Sequence, residues 1–90
     1  MFHRTVTFGH PDGLHAGPAW ELVDAVAQAN LPVRIGRPGE VPVPAWDILE
    51  VMRLGVRYGD RVVISAEGTD AERVLDELVV LLADNRPPSA

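Results

Sequence analysis

Ninety residues, 47% of them hydrophobic, make room for one compact domain and no second core. The absence of cysteine excludes disulfides and thiolate chemistry. A net charge of −5, with all eight basic residues scattered arginines, argues against a nucleic-acid partner.

The longest apolar run, Leu78 to Ala83, is far too short to span a bilayer. The opening Met1-Phe2-His3-Arg4-Thr5 lacks the apolar core of a signal peptide, so a cytoplasmic protein is expected. From Phe2 to Phe8 apolar and polar residues alternate, with Phe2, Val6 and Phe8 on one face and His3, Thr5 and Thr7 on the other, as in a half-buried strand. Gly9 to Gly13 reads as a turn-rich loop. From Ala16 to about Ala29 the period becomes helical. Ala19, Leu22, Val23, Val26 and Ala27 form the apolar stripe, with Asn30 and Pro32 as C-cap and stop signal.

Val33 and Ile35 flank Arg34 in a second strand, and Pro38-Gly39 suits a type II turn. A third strand is expected over Glu40 to Val43. Pro42 and Pro44, two residues apart, lack N–H groups on the same side, which fits only a sheet edge. Asp47 opens a short helix to about Leu54, Glu50 resembles the far end of a capping box, and Gly55 ends the helix. Arg61 to Glu67 is the fourth strand, with Val62, Ile64 and Ala66 inward. Thr69-Asp70-Ala71-Glu72 reads as a capping box for a last helix whose core face is Val74, Leu75, Leu78, Leu81 and Leu82. Pro87 to Ala90 is expected to be a flexible tail beyond a single domain of residues 1–86. The order βαββαβα implies an α+β fold: an open-faced sandwich with a four-stranded antiparallel sheet and three helices on one face.

Gly13-Leu14-His15-Ala16-Gly17-Pro18-Ala19 carries the chemistry. His15 stands at the N-cap of the first helix, and Pro18 lies in its first turn, where a missing N–H is tolerated. The amides of Ala16 and Gly17 then point outward beside the imidazole. With the helix dipole they make an anion site in which a phosphate on the ring would rest. The same field favours a neutral, nucleophilic imidazole. By spacing alone, such a histidine is more often structural than reactive.

The stretch Gly13-Leu14-His15-Ala16-x-Pro18-Ala19 resembles the active-site signature of the HPr phosphocarriers of the phosphoenolpyruvate-dependent sugar phosphotransferase system. Ile48 to Val56 with Gly59-Asp60 looks like their second helix and its exit, and Ala66 to Ala71 like the approach to their last helix. The resemblance covers about residues 2 to 84. It implies that His15 accepts a phosphoryl group on Nδ1 from enzyme I and passes it to a histidine of an enzyme IIA domain in sugar uptake. It also implies a monomeric carrier with a transient phosphohistidine and no bound cofactor, rather than a turnover enzyme.

Three positions depart from the family. Gly17 stands in place of an arginine that helps hold the phosphate. Loss of such a charge-assisted contact costs about 1.5–3 kcal/mol, which is on the order of ten- to a hundredfold in rate. Arg53 or a partner's arginine is a candidate to compensate. Asp12 either serves the turn before Gly13 or brings a negative charge near the phosphate. Asp47 aligns with a serine that a regulatory kinase phosphorylates in many Gram-positive relatives. Helix capping explains it fully, and it also removes or mimics that control. A second reading therefore stays open: a regulatory docking module of the same fold with weakened or lost phosphotransfer.

Trp20 sits about 110° from the centre of the first helix's stripe. Trp46, Ile48, Leu49 and Met52 give the second helix apolar residues on more than its core side. Either these belong partly to the core or, with Arg53, they form a patch beside His15 that docks enzyme I and enzyme IIA. His3, His10 and Asp12 match no metal-ligand spacing with His15, and no metal site is expected.

Overall fold

The computed structural model describes residues 1–84. The elements follow the expected order: β1 (Phe2–Thr7), α1 (Ala16–Ala29), β2 (Arg34–Gly36), β3 (Val43–Pro44), α2 (Ile48–Arg53), β4 (Arg61–Ala66) and α3 (Ala71–Ala83). The expected tail, and the last two residues of the expected 1–86 domain, lie outside the described residues. The strands make one antiparallel sheet in the order β1-β4-β2-β3, and the three helices cover its inner face. Val62, Ile64 and Ala66 on β4 are buried beneath them, while His3, Thr5 and Thr7 stand exposed on the open face. Arg4 shares the inward parity of β1 at the sheet's edge. There its guanidinium escapes the core by pairing with Asp76 of α3 at 2.9 Å.

Four local expectations need correction. Ala27 is exposed, and α1 buries Ala19, Leu22 and Val26 with Ala25 and Ala29 partly covered. One step past Val26 rotates a side chain about 100° off the stripe, and a lone methyl gains little from following it. The third strand is two residues long instead of four. The type II turn is present, with Gly39 at a φ of 81° and the Glu40 amide donating to the Arg37 carbonyl at 3.1 Å. After it, Val41 is 86% exposed, and pairing begins only at Val43 opposite Ile35. Two prolines so close leave few donors for a ladder, so β3 stays short and at the edge.

At α2 the Asp47 carboxylate accepts from the Leu49 and Glu50 amides at 3.1 and 3.3 Å. The Asp47 amide, however, donates to the Pro44 carbonyl, and Glu50 turns to Arg53 at 3.5 Å instead of closing a box. The box expected at Thr69 is also absent. α3 begins at Ala71 after Asp70, whose backbone (φ −97°, ψ 9°) is not extended as a side-chain cap requires. The Asp70 carboxylate faces Arg73 at 3.6 Å.

The segment joining α2 to β4 is tied down by Arg37, which follows β2. Its guanidinium donates to the Gly55 carbonyl at 2.9 Å, the Leu54 carbonyl at 3.3 Å and the Asp60 carboxylate at 3.1 Å. Asp60 also accepts from the Arg57 amide at 2.9 Å. The Arg57 amide first, and the Arg37 guanidinium second, hold the Asp60 carboxyl below the usual carboxylate range. A lowered pKa in the folded chain means a contribution that is whole near neutral pH and lost as pH falls through that pKa. Asp60→Asn should therefore melt below the parent at neutral pH, and the gap should close on acidification. Thermal melts between about pH 7 and pH 3 check this, and a gap constant across that range would refute it.

Candidate functional site

The site is built on the turn between β1 and α1. Phe8, just beyond β1, is buried, and its amide donates to the Asp60 carbonyl at 2.8 Å. The Gly59 amide returns a bond of 2.8 Å to the Phe8 carbonyl. Gly9 lies so near the end of α3 that a Cβ there would overlap the Ala83 carbonyl, which requires glycine. The Gly13 amide donates to the His10 carbonyl at 3.1 Å, and its φ of 82° reverses the chain. The Leu14 amide then donates to the Val56 carbonyl at 2.9 Å while its side chain is buried.

With Leu14 facing in, His15 faces out. It is the N-cap of α1, with an extended backbone (φ −90°, ψ −167°), and its carbonyl accepts the Ala19 amide at 2.8 Å. Its imidazole makes no capping hydrogen bond and is exposed. The first four amides of a helix have no carbonyl four residues back to bind. Pro18 removes one of these donors, and those of Ala16 and Gly17 remain at the positive end of the dipole. The first turn carries no acidic residue. A Cβ built on Gly17 would stand 3.7 Å from His15 Cε1, an ordinary contact, so a side chain there would lie alongside the imidazole.

His10 and Asp12 converge on the same point. The His10 ring lies edge-on to the His15 ring with centroids 5.7 Å apart, and its centroid is 6.5 Å from that of the Phe8 ring. The Asp12 amide donates to His10 Nδ1 at 3.3 Å. His3 is far from this group in kind, exposed on the open face of β1. Loop spacing alone gave no reason to join His10 to His15, because direction along a turn is set by its dihedral angles.

A shallow depression of about 550 Å³ runs from Pro11, Asp12 and His15 to Met52, Gly55, Arg57 and Tyr58. Arg57 and Tyr58 are functional candidates that the residue patterns missed. The available signal was an arginine and an aromatic residue set between Gly55 and Gly59. Arg53 does not line the depression and sits with Glu50. Trp20 and Leu49 are exposed by 59% and 67%, and Met52 by 39%, whereas Ile48 packs partly against the core. Trp46 does not line the depression. It lines a hollow with Asn30, Leu31 and Pro32, and its ring lies 5.4 Å from the Arg34 guanidinium. That is the far end of α1, about 20 Å from His15 at 1.5 Å per residue. Among the described residues no helix is long and apolar enough to cross a membrane.

A family model described as the PTS HPr component phosphorylation site matches residues 2–84. The chain is 43% identical over 81 residues to the phosphocarrier protein HPr of Haloferax volcanii, covering 89% of this chain and 91% of that one. It is 36% identical over 84 residues to the HPr of Streptomyces coelicolor, covering 93% and 90%. Among solved structures, HPr from Bacillus anthracis superposes with a TM-score of 0.83 at 28% identity, over 90% of this chain and 95% of that one.

Asp47 holds two amides of a short helix whose face borders this depression. Asp47→Ala should cost about 1 kcal/mol, and Asp47→Ser should recover most of it. Chemical denaturation of the three proteins measures both steps.

Proposed function

The chain belongs to the HPr phosphocarrier family, and from that premise we propose that His15 is the residue that carries the phosphoryl group. The supporting observation is its exposed imidazole at the α1 N-cap, free of any capping bond, beside the first amides of the helix. In the transfer, one P–N bond forms on His15 Nδ1 as another breaks, and the electron pair returns to the donor's imidazole. The protein's part is to hold the ring in line and to offer the Ala16 and Gly17 amides to the charged phosphoryl oxygens.

Its partners are phosphotransfer proteins of that system. The finer reading is enzyme I as donor and an enzyme IIA domain as acceptor in sugar uptake, with this chain a cytoplasmic monomer. It acts as a carrier that is consumed and regenerated, rather than as a turnover catalyst. Gly17 supplies only a backbone amide where the family's arginine would supply a cation. Arg57, which lines the same depression as His15, is the better candidate to compensate than Arg53, which faces Glu50.

Incubation with phosphoenolpyruvate and a catalytic amount of enzyme I should add one acid-labile phosphate, and His15→Ala should abolish it. Intact mass measures the gain. Gly17→Arg should accelerate transfer on the order of tenfold to a hundredfold. A chain that binds enzyme I but gains no phosphate would be the regulatory docking module instead.

The docking surface proposed with the carrier reading combines Met52, which lines the depression with His15, with the exposed Trp20 and Leu49, and Ile48 supports it from the core side. Leu49→Ala and Met52→Ala should each weaken binding to enzyme I several-fold, with melting temperature little changed. Trp46→Ala, at the other end of α1, should leave binding unaltered. Calorimetric titration separates these cases, and equal losses at all three positions would exclude this surface.

A further inference from the structure

His10, Asp12 and His15 each offer a ligand atom, and the three atoms lie within 4.8 Å of one another. We propose that these side chains form a site for a borderline divalent transition ion of the Zn²⁺ class, and that the bound ion blocks His15.

Two imidazoles and one carboxylate are a donor set that Zn²⁺ accepts, with water in a fourth position. Bonds of about 2.0–2.2 Å in a tetrahedron set ligand atoms roughly 3.4 Å apart. Closing the widest spacing of 4.8 Å to that value takes roughly 1.4 Å of relative movement, and the exposed side chains of Asp12 and His15 can supply it by rotation. His10 is the anchored member, half-buried against Phe8. Coordination through either of its ring nitrogens gives up a single long hydrogen bond, the 3.3 Å contact from the Asp12 amide. The backbone carrying the ligands is already ordered by the Gly13–His10 and Leu14–Val56 hydrogen bonds.

Charge separates this site from the phosphate cradle it overlaps. The positive end of α1 favours an anion on His15 and works against a cation. Asp12 does the reverse: its carboxylate repels a phosphoryl group on His15 and attracts a metal ion. Asp12 therefore has a physical role toward a cation that it lacks toward the phosphoryl group. The metal site stands independently of the phosphocarrier reading, and only the blocking of His15 rests on that reading.

The test is a titration of the unphosphorylated full chain with ZnCl₂, followed by calorimetry and by histidine side-chain NMR. One ion should bind per chain, shifting His10 and His15 resonances and leaving those of His3 in place. His10→Gln and Asp12→Asn should each weaken binding at least tenfold with the amide spectrum otherwise retained, and His3→Gln should change nothing. MgCl₂ should not bind there. Zn²⁺ should then slow phosphoryl acceptance by the parent and not by His10→Gln, with a chelator restoring the rate. Absence of saturation, shifts centred on His3, or parent-like binding by the His10 and Asp12 variants would each overturn the site. A chain that binds Zn²⁺ but is never phosphorylated overturns the carrier reading alone, and the opposite pattern overturns the metal site alone.

Discussion

The working geometry depends on Leu14. Its side chain is buried and its amide is bound to the Val56 carbonyl at 2.9 Å, so the following residue has only one direction left. His15 is turned to solvent at the moment the helix begins. A residue that caps α1 without a side-chain hydrogen bond leaves the first amides to a ligand. The segment that receives Leu14 is itself held at Leu54, Gly55 and Asp60 by one guanidinium, that of Arg37. A charged side chain at the end of β2 thus helps set the backbone against which the reactive loop is pinned.

Opposite charges meet at the imidazole. Helix amides and dipole invite an anion, Gly17 withholds the cation that would complete the welcome, and Asp12 adds a negative charge among the ligand atoms. For the proposed phosphate cradle this is a weaker hold than a guanidinium would give, and it is what the proposed cation site would use. A phosphoryl group resident only briefly tolerates this, since a carrier must release what it accepts.

The exposed apolar residues on and beside α1 and α2 are spread over the length of α1. Met52 lines the depression that holds His15, Trp20 and Leu49 are exposed outside it, and Trp46 lies near Arg34 beside the C-terminal end of α1. Of these, Met52 adjoins the proposed transfer site, and Trp46 lies about the length of α1 away from it.

Residue patterns alone determined the order of elements, the edge position of the proline-rich strand, the caps at His15, Asn30 and Asp47, and the family through Gly13 to Ala19. Each of these is a local matter of dihedral preference, missing donors or side-chain period. The Thr69 capping box does not form because the Asp70 backbone is set by the turn after Gly68, and the exposure of Ala27 is not legible on a helix wheel, which does not say which flank tips toward the sheet. Only the tertiary structure brought Arg37 to Asp60, Arg57 and Tyr58 to the depression, and His10 and Asp12 to His15. Those meetings depend on how turns aim side chains across gaps in the chain. Side-chain type and spacing do not encode that aim; it emerges when Leu14 and Phe8 are buried and the loop between them is forced to close.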